Sequence, residues 1–204
     1  MTLSAFLTVV VIHLLAAMSP GPSFVVCIRT AATHGFRTAV GLSIGFGLGA
    51  VLWASAALAG LALLFELIPS LFTALKIIGG AFLLWIAYQM WRHAPEPLDM
   101  KAQSLNTLSF ARAIRFGFLT FAANPKPAVF FGAVFVGLVP AGTSLPVLVA
   151  LIAAIFANET LWYIVVARLF SMSHPRALYL RAKAWIDRAF GTLLALFGLK
   201  IAMG

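Results

Sequence analysis

Two charges sit where charge is costly. Lys126 lies deep in an apolar run, just after Asn124 and Pro125, and Glu159 follows Asn158 near the middle of another run. In hydrocarbon, each costs about 2.5–3.5 kcal/mol on insertion scales unless it is paired or wet. Lys126 stands more than ten residues beyond Arg115, too far to stretch back to an aqueous interface, so it is expected to face a wet cavity and meet a carboxylate. Glu159 is expected to exchange a proton or hold a cationic group; its plainer role is to pair with Lys126 or pack a helix. His13 is a further candidate for proton coupling, although a lone intramembrane histidine more often serves packing.

Each half of the chain also carries a proline pair that interrupts an apolar run. The first is Pro20-Gly21-Pro22, preceded by Ser19; the second is Pro125-Lys126-Pro127, preceded by Asn124. Proline cannot donate its backbone hydrogen bond and frees a carbonyl one turn earlier. Inside a bilayer those groups must be satisfied by protein, water or ligand. Two such breaks with polar neighbours predict one central polar site; two kinks that only shape packing are the plainer alternative. Lys76 lies nearer a helix end and can snorkel, so it ranks below Lys126.

The elements that must position these residues follow from composition. Of 204 residues, 63% are hydrophobic and only 9% charged. Mean hydropathy is +1.06. The apolar residues come in blocks of the roughly 20 needed to cross the hydrocarbon core. Six transmembrane helices are predicted near 4–28, 38–65, 68–91, 113–140, 145–170 and 183–203. A short turn is expected around Glu66 and Pro69, and a longer polar connector over 92–112. The chain is thus one transmembrane domain over 1–204, with halves 1–91 and 113–204. Three spans per half make the second half enter from the opposite face, a 3+3 inverted-topology repeat. Gly80 and Ala87 in the third helix match Gly191 and Gly198 in the sixth. Gly41, Gly45 and Gly49 form a small-residue ridge on the second helix; it offers either a contact within one subunit or the face of a homodimer, the former being the simpler reading.

The net charge of +9 does not signal nucleic acid, because the basic residues lie between the apolar blocks. Arg29, Arg37, Arg92, Lys101, Arg112, Arg115, Arg168, Arg176, Arg181, Lys183 and Arg188 all fall on the side of the loops after helices 1, 3 and 5. Lys200 alone lies near the other face. That side is expected in the cytoplasm, with both termini in the periplasm. The first helix has no basic stretch before it and reads as retained rather than cleaved. Cys27 is the single cysteine, which excludes an intramolecular disulfide. Motifs of hydrolases and metalloproteases are missing, and no cofactor or metal is expected.

Ser19-Pro20-Gly21-Pro22, the glycine ridge, Lys76 with Gly79-Gly80, and Asn124-Pro125-Lys126 together resemble the LysE/RhtB amino-acid exporters, in order and over essentially the whole chain. Met18 to Phe24, Glu159-Thr160-Leu161 and Lys183 to Asp187 look most like the threonine efflux branch. The resemblance implies proton-driven export of a small neutral amino acid, threonine- or homoserine-like, across a bacterial inner membrane. Protons, the amino acid and membrane lipid would be its partners. Two positions depart from that pattern: Ser23, where an acid is frequent, and Pro127, where alanine is common. The first bears on substrate choice and the second on the stiffness of helix 4. On this reading Ser19, Pro20, Gly21, Pro22, Asn124, Pro125, Lys126 and Glu159 bind substrate, and Glu159 with His13 handles the proton. An uncoupled channel or assembly subunit is the alternative. A membrane enzyme would need a nucleophile or metal cluster that the sequence does not display.

Overall fold

The computed structural model describes residues 1–67, 70–96, 108–140 and 142–203, and all regular structure among them is helical. In chain order the helices are α1 (Leu3–Met18), α2 (Pro22–Leu67), α3 (Ser70–His93), α4 (Phe110–Ala122), α5 (Pro125–Val129), a π-helical segment (Phe130–Phe135), α6 (Val136–Leu138), α7 (Leu145–Phe170) and α8 (Ser173–Met203).

The boundaries have local causes. Thr2 and Ser109 cap α1 and α4, their hydroxyls accepting the Ala5 and Arg112 amides at 3.2 and 3.4 Å. α1 stops at Met18, and the chain turns through Ser19, Pro20 and Gly21 before Pro22 starts α2. Proline suits that first helical position, where its missing N–H is not needed. α2 is itself two arms, 22–34 and 36–67, joined at Gly35, whose φ of 80° breaks the helix. The second proline pair acts likewise: α4 ends at Ala122, and Asn124 caps the new start at Pro125. From there α5, the π segment and α6 run on as one rod. The π turn inserts one extra residue per turn and re-aims the faces of Phe130 and Phe131.

Three differences from the sequence-based expectation stand out. The first predicted helix, 4–28, is two helices, and the second of them continues to 34. The last helix begins at Ser173 rather than 183, so residues expected in a loop are helical. The predicted connector is shorter at both ends, since α3 reaches His93 and α4 starts at Phe110; its centre, like the turn at 68 and 69, lies outside the described residues.

Packing places the second arm of α2 against α4 and α7, α3 against α8, and α1 against α7. The glycine ridge faces inward: a Cβ on Gly45 would lie 2.1 Å from the Ile114 carbonyl oxygen, and one on Gly117 would lie 2.3 Å from that of Leu42. The ridge is therefore an intramolecular contact between α2 and α4, where only hydrogen lets the two backbones approach. α3 and α8 cross at matched small residues, with Gly80 facing Gly198 and Ala87 facing Gly191. Phe24, Phe46, Phe131, Phe135 and Phe170 fill the interior.

The outside is as apolar as the inside. Leu145, Leu161, Trp185 and Leu196 each expose more than half of their surface. Pro22–Gly60 and Leu145–Phe170 are long and apolar enough to cross a membrane. Among the buried polar residues, His13, Ser19, Ser23, Asn124 and Glu159 gather near the two proline breaks.

Candidate functional site

The breaks meet, and two hydrogen bonds join them. The Lys126 ammonium donates to the Ser19 carbonyl at 2.8 Å, a group left over beyond the last turn of α1. The Asn124 amide nitrogen donates to Ser23 Oγ at 3.1 Å, while its Oδ1 accepts the Lys126 backbone N–H at 3.0 Å. Asn124 thus caps α5 and ties it to the start of α2 at once. Gly21 packs directly against the Lys126 side chain: a Cβ there would lie 3.6 Å from Lys126 Cδ, in ordinary van der Waals contact.

A small chamber of about 40 Å³ opens on one side of this joint. Lys126, Asn124, Ser19 and Ser23 line it, and Glu159, His13 and Tyr163 face them. Such a volume holds a few waters. Glu159 Oε2 lies 3.3 Å from His13 Nε2, with both side chains about 3% exposed. Asn158 Nδ2 lies 3.0 Å from His13 Nδ1 and 3.0 Å from the Val10 carbonyl. An amide NH₂ only donates, so Nδ1 is the accepting nitrogen and the ring proton sits on Nε2, the nitrogen on the Glu159 side. Phe130 and Phe131 pack on the imidazole at 5.8 and 5.5 Å between centroids.

A larger cavity of about 420 Å³ opens on the other side, within the range of small-molecule sites. Phe82, Ile86, Met90 and Val129 wall it, and Gln89, His93, Lys183 and Asp187 lie toward α3's C-terminal end. Ser19, Gly21, Asn124 and Lys126 border both cavities and so form the threshold between them.

Most of the residues singled out from sequence gather here. His13, Ser19, Gly21, Asn124, Lys126 and Glu159 line the small chamber. Pro20 and Pro22 line the larger cavity only. Pro125 holds the first position of α5 between Asn124 and Lys126, though its ring, like the Lys76 side chain, lies outside the described residues. The plainer alternative, a direct Glu159–Lys126 pair, is not formed; Glu159 lies against His13, and Lys126 donates to the Ser19 carbonyl. No cluster of metal-binding side chains occurs among the described residues.

Sequence reasoning missed Tyr163 and the Lys183–Asp187 pair. Tyr163 is buried against Phe46 at 4.7 Å between centroids, and nothing in its flanking residues marks it. Lys183 donates to Asp187 Oδ2 at 2.8 Å and to the His93 and Ala94 carbonyls at 3.0 and 3.2 Å. These three bonds use all its donors and fasten the end of α3 to α8. The i,i+4 spacing of opposite charges was the available signal.

Comparison with known proteins gives a consistent picture. The sequence pattern of the LysE type translocator family matches residues 14–204. The threonine efflux protein of Escherichia coli K12 is 35% identical over 201 residues, 98% of each chain. That of Salmonella typhimurium is 35% identical over 198 residues, 96% of each chain. The homoserine/homoserine lactone efflux protein of Salmonella typhimurium is 29% identical over 201 residues, 92% of this chain and 91% of its own. No solved structure matches.

Proposed function

Since this chain belongs to the LysE type translocator family and is embedded in a membrane, we propose that it is a proton-coupled exporter of a small neutral amino acid, threonine- or homoserine-like. Lys126 carries this reading, because it stands at the threshold of a ligand-sized cavity and a water-sized one. The substrate occupies the larger cavity and presents its carboxylate to Lys126, which exchanges the Ser19 carbonyl for a charged partner. Ser19 and Asn124 orient the polar atoms around it. Glu159 sits in the chamber too small for the substrate and carries the proton. His13 lies with Nε2 3.3 Å from the Glu159 carboxylate and is held by Asn158, which suits it to position the carboxylate rather than to shuttle.

The proposed framework is six spans in a 3+3 inverted repeat within one domain. Matching Gly80 to Gly191 and Ala87 to Gly198 maps the Gly80–Gly198 contact onto Gly191–Ala87. Both contacts occur, as a two-fold exchange of the halves requires.

The test is reconstitution. Proteoliposomes holding the purified chain are expected to move labelled threonine or homoserine against its gradient when a proton gradient is imposed, and only to equilibrate it otherwise. Equal, purely downhill flux with and without the gradient would instead identify an uncoupled channel.

Orientation follows from the charge count, with both termini in the periplasm of a bacterial inner membrane. Alkaline phosphatase fused after Gly204 should be active, and a cytoplasm-only reporter at the same point should be silent. The reverse pattern would refute the assignment.

A further inference from the structure

The outer face of the α3–α8 pair carries a feature that the export cycle does not use. Close crossing of the two helices leaves a crease on the surface. Leu84, Ala87 and Ala195 form it together with Tyr88, Trp91 and Arg92. Tyr88 and Trp91 remain more than half exposed. The guanidinium carbon of Arg188 stands 5.9 Å from the Trp91 ring centroid, while the indole N–H is given to Thr192 Oγ1 at 3.2 Å.

The charges here are unbalanced. Neither Arg92 nor Arg188 has an acidic partner among the described residues. Arg188 Nε is shut off from solvent and meets no acceptor. An unmet donor on a charged group is costly, and a guanidinium is best satisfied by a carboxylate or phosphate. An apolar crease facing hydrocarbon calls for an acyl chain. One molecule supplies both.

We propose that this crease binds an anionic phospholipid, its acyl chain along Leu84, Ala87 and Ala195 and its phosphate at Arg92 and Arg188. Aromatic residues at a membrane interface anchor helices in any lipid. The two guanidinium groups, without an acidic partner among the described residues, add a preference for net negative headgroups. The inner faces of the same helices line the larger cavity through Phe82, Ile86, Lys183 and Asp187. A lipid seated in the crease therefore bears on the helices that shape that cavity.

Native mass spectrometry of the full chain in mild detergent tests this, with phosphatidylglycerol, phosphatidylcholine and inorganic phosphate as probes. Wild type should retain phosphatidylglycerol over phosphatidylcholine by roughly 25-fold, at about fivefold for each of the two arginines. Arg92→Gln and Arg188→Gln should each lower phosphatidylglycerol retention about fivefold and leave phosphatidylcholine unchanged. Arg168→Gln, which removes an arginine stacked on Phe36 elsewhere, should change neither. Equal retention of the two lipids by wild type overturns the proposal without recourse to any variant. Displacement of phosphatidylglycerol by inorganic phosphate would make this a free-anion site and overturn it as well. So would efficient disulfide formation between two Ala195→Cys copies lacking Cys27, which would assign the crease to a second copy.

Discussion

Glu159→Gln abolishes gradient-driven efflux and spares exchange. The carboxylate lies in a chamber too small for substrate, so its loss removes the proton step and leaves the substrate cavity intact. Glutamine keeps the size and an acceptor oxygen beside His13 Nε2, which preserves the local packing and the fold. One charge moving through 100 mV is worth about 2.3 kcal/mol, enough to hold roughly a 50-fold concentration ratio of a neutral substrate. In proteoliposomes the wild type should approach that ratio for one proton per substrate. The variant should fall to about 1 while still exchanging labelled for unlabelled substrate at zero gradient. Concentrative transport by Glu159→Gln would move the proton to another group. Loss of exchange as well would show that Glu159 contacts the substrate, as an ammonium partner does.

Lys126→Met has a different signature, because it removes a charge at the threshold itself. Losing one member of a desolvated, hydrogen-bonded charge pair costs about 2–5 kcal/mol, so substrate affinity should drop roughly 30-fold or more, both in exchange and in coupled transport. Lys126 also ties Ser19 to α5, and some loss could come from slackening that joint. Lys126→Arg separates the two effects, since it restores the charge with different geometry. Affinity can be read from the fluorescence of Trp85, which lines the larger cavity, with other tryptophans replaced. If Lys126→Met binds substrate as tightly as wild type, the carboxylate lies elsewhere. Recovery of affinity by Lys126→Arg assigns the role to the charge, whereas recovery of stability alone assigns it to the joint.

Ser23 shows how little a single position can announce. From sequence it is a small polar residue just after the first proline pair. In the fold it is the acceptor that holds Asn124, a bond spanning 101 residues. An acid there would keep an acceptor and add a negative charge to the chamber that contains Lys126 and Glu159.

Class, breaks and costly residues follow from the amino-acid types and their order alone. Runs of apolar residues require lipid, because no soluble surface is left for them. Pro22 and Pro125 start helices through covalent geometry that acts within one turn, so the two breaks were legible although several helix ends were not. Lys126 and Glu159 were legible because a buried charge is expensive wherever it lies. Only the tertiary structure decided their partners: His13 for Glu159, the Ser19 carbonyl for Lys126 and the end of α3 for Lys183. Helices that are apolar on every side carry no stripe to say which face turns inward, so their rotation is set by contacts such as Gly45 against Ile114. The two cavities and the threshold between them exist only after that rotation is fixed, since their walls come from helices more than a hundred residues apart.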